Sequence, residues 1–333
     1  MKIILRIFCS LIVLSLVTCA VSSNEPDVEK IEYIKTALHY NVYFDEVNEG
    51  EGYLYFTDPH AVNISFDANF MESERIKYEK LSRLYSYTNS SFAMCGGDWL
   101  RSSNSRESAL KMLSYIRAET KAWFDTCYLI VGNHDYNYQF AVEEGVNVRS
   151  EHELSNDEIV SVWFSEYGKT YYSFITESSR YYVFDSGIDW GHDELTELDI
   201  EQIAWYLGML SGNDDKHIVL CPHMVYLSDD EMNPGSRVLI EISAAYNNRL
   251  KYDLDGITYD FSRKTGRVEY VISGHTHDSS NGVIEGIPYV TVCSSAKGSE
   301  LPAADFVYAD YTNRRLYLYR VGEGESREID LAH

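Results

Sequence analysis

Basic residues are scarce in this chain. It has 333 residues, with 28 Lys+Arg against 52 Asp+Glu and a formal net charge of −24. Nucleic acids and anionic lipid surfaces are held mainly by clustered Lys and Arg, so the balance speaks against both as partners. Only six prolines and twenty glycines, without a biased repeat, exclude a linker-rich or disordered chain. Six cysteines are too few for a disulfide scaffold, and no Cys-x-x-Cys spacing offers a structural zinc site. Cys95, Cys127, Cys221 and Cys293 each sit in an apolar stretch and read as buried free thiols. Beyond the first twenty residues, no apolar run approaches the roughly 20 residues of a membrane span.

Those first residues read as an export signal. Lys2 and Arg6 give a positive start, Ile7 to Val17 is a short apolar run, and Thr18-Cys19-Ala20 supplies small residues for cleavage. The expectation is an exported protein: secreted, periplasmic or at the cell surface. Leu16-Val17-Thr18-Cys19 also resembles a bacterial lipobox, in which Cys19 would carry the lipid and supply the sole membrane link. Thr18 departs from the Gly, Ala or Ser usual before that cysteine, and ordinary cleavage is the competing reading.

A hydrophobic content of 45% is enough for a sizeable core. Along the body, short apolar runs alternate with helical patterns. Strands are predicted at Tyr53–Phe56, Ser91–Cys95 and Tyr128–Val131, separated by helices near 72–87 and 107–124. Helix-length crossovers make the three strands parallel. A hairpin at 171–184, a helix at 195–210, strands at 217–221, 268–273 and 287–293, and a last hairpin at 306–321 follow. The organisation reads as a 1–20 signal, a 21–50 lead-in, one domain over 51–322 and a 323–333 tail. Polar insertions interrupt the domain near 137–168 and 228–268, the second carrying one helix.

The informative pattern is where Asp, Asn and His fall. Five apolar strands each end in such residues: Asp58 and His60; Asp98; Asn133, His134 and Asp135; His223; and His275 and His277. In an open α/β sheet ligands bind beyond the carboxyl ends of the strands, so five segments deliver mixed oxygen and nitrogen donors to one crevice. Singly, each cluster reads equally well as a turn or a cap. Trp99, Arg101, Tyr136 and Tyr138 stand beside them, either lining a mouth or packing the insertions.

Together and in this order, Asp-x-His, Gly-Asp, Gly-Asn-His-Asp, a lone His and Gly-His-x-His resemble the motif set of the calcineurin-like metallophosphoesterases, from about Tyr53 to Ser295. The resemblance implies a four-layer αββα sandwich with a dimetal site at the carboxyl ends of the strands. By position, Asp58, His60, Asp98 and His277 would hold one ion, and Asp98, Asn133, His223 and His275 the other, with Asp98 bridging. The mixed O/N donors suit Mn, Fe, Zn or Ni. Two ions about 3.5–4 Å apart would generate a bridging hydroxide that attacks phosphorus. His134, not a ligand, would protonate the leaving group, oriented by Asp135. The expected substrate is a small phosphate ester, monoester or diester. The alternative is an exported, non-catalytic phosphoester-binding protein that keeps the fold.

Overall fold

The computed structural model describes residues 49–60, 68–101, 105–137, 152–186, 199–225, 234–297 and 301–331. The export signal, Cys19, most of the 21–50 lead-in and Tyr138 lie outside them.

Seven residues, Gly50–Phe56, form strand β1. Every side chain after Gly50 is buried there, because the strand lies inside a sheet with a covered face on each side. Helix α1 (Ala68–Tyr85), strand β2 (Ala93–Cys95), helix α2 (Arg106–Trp123) and strand β3 (Cys127–Leu129) follow. β1 pairs with β2 and β2 with β3, both parallel, as the crossovers require. Ser105 caps α2 by accepting from the Ser108 backbone N–H at 3.3 Å.

Residues 137–168 were expected to form a polar insertion with no clear strand, and none is seen among its described residues. They contain helix α3 (Asn156–Trp163), opened by a capping box between Ser155 and Glu158. That Ser-x-x-Glu spacing was the available signal. Strands β4 (Tyr172–Ile175) and β5 (Ser179–Phe184) form the expected antiparallel hairpin. Helix α4 (Ile200–Gly212), strand β6 (His217–Pro222) and helix α5 (Pro234–Asn247) continue the chain.

The second insertion holds more than its helix: β7 (Lys251–Leu254) and β8 (Ile257–Asp260) make a hairpin. Its loop is Asp255-Gly256, both at positive φ, the geometry that an Asp-Gly pair accommodates. β9 (Arg267–Ser273), β10 (Ser280–Ile284) and β11 (Ile287–Thr291) come next, with β10 turning into β11 at Glu285-Gly286. Finally β12 (Ala304–Asp310) and β13 (Arg315–Val321) form the last predicted hairpin. The segment read as a tail adds an edge strand, β14 (Arg327–Asp330), against β13. Its alternation is too short to stand out without the partner strand.

Among the described residues, β7 and β8 form a two-stranded sheet of their own and the other strands two six-stranded mixed sheets, ordered β14-β13-β12-β1-β2-β3 and β10-β11-β9-β6-β5-β4. Alternation along each strand sends side chains to opposite faces. Tyr181, Val183, Val219, Cys221, Tyr270 and Ile272 of the second sheet meet Tyr53 and Tyr55 of the first in one core. Tyr182, Phe184, Ile218, Leu220 and Val271 point the other way, onto α4 and α5. The outer face of the first sheet carries α1 and α2, with Phe56 packed on Tyr78 and Phe124. This is the expected α/β/β/α layering.

Many of the abundant tyrosines fill this interior, and several keep their hydroxyls bonded, whereas those of Tyr55, Tyr182 and Tyr246 are buried without a hydrogen-bond partner. Tyr53 meets Tyr270 across the sheets at 3.0 Å, and the Tyr172 hydroxyl donates to the Leu129 carbonyl at 2.8 Å. Within α1 the buried stripe is Tyr78, Leu81, Leu84 and Tyr85, whereas Ile76, expected on that face, is exposed. Cys95, Cys127, Cys221 and Cys293 are free thiols, as expected, and all are buried except Cys127, which is half-buried.

Candidate metal centre

All seven expected metal ligands converge where the carboxyl ends of the two sheets meet. Backbone strain marks the place. Asp58, His60, Asp98, His275 and His277 all adopt positive φ, between 43° and 68°. Such conformations are costly away from glycine and persist where the surroundings over-determine them, as at functional sites. The strand ends also approach very closely. A Cβ on Gly97 would meet His223 Nδ1 at 2.7 Å, and one on Gly132 or Gly274 would collide with Asp98 or with Thr57 and Asp58. The glycines of the Gly-Asp, Gly-Asn-His-Asp and Gly-His-x-His motifs are therefore needed for proximity.

Each carboxylate is split between support and display. Asp58 Oδ2 accepts from Thr57 Oγ1 at 2.7 Å and from the His275 backbone N–H at 2.9 Å. Its Oδ1 faces His277 Nε2 at 3.2 Å and the Nε2 atoms of His60 and His223 at 3.9 Å. Asp98 Oδ1 accepts from the His134 backbone N–H at 2.8 Å, and its Oδ2 faces His223 Nε2 at 3.1 Å and His60 Nε2 at 4.0 Å. The histidines are organised the same way. His60 and His223 donate through Nδ1 to the carbonyls of Leu100 (3.0 Å) and Gly96 (2.6 Å), which frees Nε2 for the cleft. His60 Nε2 and His277 Nε2 lie 2.9 Å apart, and His275 Nδ1 lies 3.1 Å from Asn133 Oδ1.

The fit to metal ions follows from what is left unpaired. With His223 Nε2 unprotonated, as a ligand must be, Asp58 Oδ1, Asp98 Oδ2 and His223 Nε2 are buried without a hydrogen-bond partner. Burying such atoms unsatisfied is costly, and a cation among them would remove most of the cost. Among the described residues, three sets of ligand atoms each lie within 4.8 Å of one another: Asp58, His60 and His277; His60, Asp98 and His134; and Asp98, His223 and His275. The first holds three of the four residues expected around one ion, without Asp98, and the third holds three of the four expected around the other, without Asn133. The middle one brings the His134 imidazole to the same cleft, edge-on to His60 with ring centroids 4.8 Å apart.

Charge is distributed accordingly. Burial opposes ionisation of Asp98, but His223, His134 and His60 around it hold its carboxyl far below the usual carboxylate range. Burial likewise opposes charge on His223, yet Asp98 and Asp58 push it up to about 10. Burial and the charge of His223 bring His275 down to about 4. At neutral pH the metal-free site therefore holds a proton on His223 that a metal must displace. Calorimetric titration with Mn²⁺ or Zn²⁺ at pH 7, in buffers of different ionisation enthalpy, is expected to detect release of at least about one proton per chain. Affinity should fall as pH is lowered. Binding without proton release, at pH-independent affinity, would contradict this charge assignment.

Asp135 has a different place from the one expected. Its carboxylate accepts from the backbone N–H groups of Asp98 (2.9 Å), Leu100 (3.1 Å) and Gly132 (2.9 Å). It braces the loops after β2 and β3 against each other. Of the flanking aromatics, Trp99 packs on Phe56 and Tyr78 and Tyr136 is buried, so both pack the structure, while Arg101 is exposed. A sixth strand end, after β11, escaped the sequence reading. Ser294 Oγ donates to the Asp58 carbonyl at 2.7 Å, and the Ser295 N–H to the Thr57 carbonyl at 2.8 Å. The Ser294-Ser295 pair follows an apolar run just as the other motifs do, which was the signal available.

The family model for calcineurin-like phosphoesterases matches residues 53–279, more than half of the chain. The chain belongs to that family. Among solved structures, a dimetal phosphatase from Danio rerio superposes with a TM-score of 0.58 at 12% identity, covering 85% of this chain and 99% of that one. The anchor in the inner membrane complex of Plasmodium does so with a TM-score of 0.50 at 10% identity, covering 86% and 90%. At these identities the likeness shows the fold. No curated protein matches the chain.

Proposed function

We propose that this protein hydrolyses a small phosphate ester with two divalent ions, held by Asp58, His60, Asp98 and His277 on one side and Asp98, Asn133, His223 and His275 on the other. The observation that carries the reading is the split use of Asp58 and Asp98. Each fixes one oxygen to the backbone and aims the other, buried and unbonded, at imidazole nitrogens. Bound ions would polarise the phosphoryl oxygens and make water nucleophilic near neutral pH. The five neutral Asn and His donors leave the ions' positive charge in excess over the two carboxylates, which suits a phosphate dianion. His134 faces the cleft and is placed to give a proton to the departing alkoxide. Asp98 holds the His134 backbone N–H, so the bridging ligand and the acid are mechanically linked.

The test is metal content by elemental analysis, with hydrolysis of p-nitrophenyl phosphate and its bis-ester. Two ions per chain and turnover of either ester are expected, and the preferred ester separates monoesterase from diesterase. A chain that stays metal-free and inactive after Mn, Fe or Zn is added would favour the binding-protein alternative.

A further inference from the structure

Asn133 and His134 sit on the short 3-10 turn Asn133–Tyr136, which two buried carboxylates grip. Asp135 ties it to the loops of the first sheet. The other carboxylate, Asp185, comes from the second sheet, at the carboxyl end of β5. Its Oδ2 accepts from Thr170 Oγ1 at 2.5 Å and from the Tyr136 phenol. The phenol also lies 2.6 Å from the Asn156 side-chain amide. A phenol has one proton to give. The carboxylate of Asp185 is the stronger acceptor of the two, so the phenol gives its proton there, and the Asn156 amide, whose Oδ1 stands at the 2.6 Å contact, satisfies the phenol oxygen by turning its NH2 toward it. Asp185 is itself immobilised. Its N–H donates to Gln202 Oε1 and its carbonyl accepts from Gln202 Nε2, both at 2.9 Å, with Gln202 buried in the first turn of α4.

We propose that Asp185, acting through the Tyr136 phenol, is a positioning residue that sets where Asn133 and His134 face the cleft. The inference rests on the phosphoester-hydrolase reading above. Its physical basis is that the site is divided between two sheets. Asp58, Asp98, Asn133 and His134 follow strands of the first sheet, whereas His223, His275 and His277 follow strands of the second. The bonds of Asp135 stay within the first sheet's loops and cannot set the distance between the turn and the second sheet. The Tyr136–Asp185 bond crosses that gap. Misplacing a reacting group by about 1 Å costs on the order of a hundredfold in rate, so a bond of this kind has catalytic consequences without touching substrate.

The experiment compares wild type, Tyr136→Phe, Asp185→Asn, Asp185→Ala and His134→Ala on p-nitrophenyl phosphate and on an alkyl phosphate, with metal content measured for each. Tyr136→Phe is expected to retain two ions and KM. Its kcat should fall about tenfold on the alkyl ester but less than about threefold on the p-nitrophenyl ester, because only the alkoxide needs a well-placed acid. Asp185→Asn keeps an oxygen to accept the phenol and should recover activity lost in Asp185→Ala. A purely structural role would lower Tm and leave the ratio between the two substrates at its wild-type value, which would overturn the inference; Tyr136→Phe decides the matter if an Asp185 variant does not fold. Should metal-loaded wild type hydrolyse neither ester, the hydrolase reading fails and this inference with it. Should wild type and His134→Ala differ in leaving-group dependence while Tyr136→Phe matches wild type, only the inference fails.

Discussion

Asp98→Asn is expected to abolish turnover and to reduce bound metal below two ions per chain. The residue is completely buried, and its Oδ2 has no hydrogen-bond partner and points at His223 and His60. An amide at that position keeps the volume but loses the negative charge that would lie between the two ions. If its NH2 turns to the cleft, it presents a donor where a cation belongs. If its NH2 turns to the backbone, it opposes the His134 N–H that Oδ1 now accepts. Metal ions supply several kcal/mol of transition-state charge stabilisation, so losing one corresponds to a rate loss of about a thousandfold or more. Elemental analysis and steady-state kinetics on the same preparation check it. A variant with two ions and near-wild-type kcat would remove Asp98 from the bridging position.

His134→Ala has the second-largest expected effect, and it depends on the substrate. The imidazole reaches the cleft beside His60 and Asp98, while its backbone is held by Asp98. Truncation removes the acid and leaves that backbone bond intact, so both ions should remain. General acid catalysis contributes about 10²–10⁴-fold, and the full loss is expected on an alkyl phosphate, whose alkoxide cannot leave unprotonated. A p-nitrophenyl ester, whose phenolate leaves readily, should suffer far less. Equal losses on both substrates would assign His134 to charge stabilisation of the phosphate. No loss on either would remove it from the reaction.

Both variants test residues that were legible in the sequence because chain order and strand ends are local information. An apolar run followed by Gly and a polar donor specifies its own geometry. The run becomes a buried strand, and the glycine permits the approach that the next donor needs, as the crowding around Gly97, Gly132 and Gly274 illustrates. The parallel order β1-β2-β3 follows from helix-length crossovers in the same way. Two of the elements that were missed, β14 and β10, take their stability from a partner strand. β14 is four residues long and exists as a strand through pairing with β13. β10 alternates only weakly and is defined by its pairing with β11 across a Glu-Gly turn, a poorer signal than Asp-Gly.

The sequence by itself placed the candidate donors at the ends of apolar strands, because residue type and order along the chain are local information, and its resemblance to the calcineurin-like metallophosphoesterases implied the two-ion ligand set and the four-layer arrangement. Only the tertiary structure decided what each polar group does. It placed β12 beside β1 and β9 beside β6, so that the two sheets close on one another. It turned Asp135 from the expected orienter of His134 into a brace for three backbone N–H groups, and sent Trp99 into the core. It also brought Asp185 to Tyr136, 49 positions away in sequence. The physical reason is that a carboxylate or an indole carries the same composition and spacing whether it faces a metal, a backbone or a hydrophobic face. The choice among them is fixed by which buried groups lack another partner, and that is a property of the packed chain.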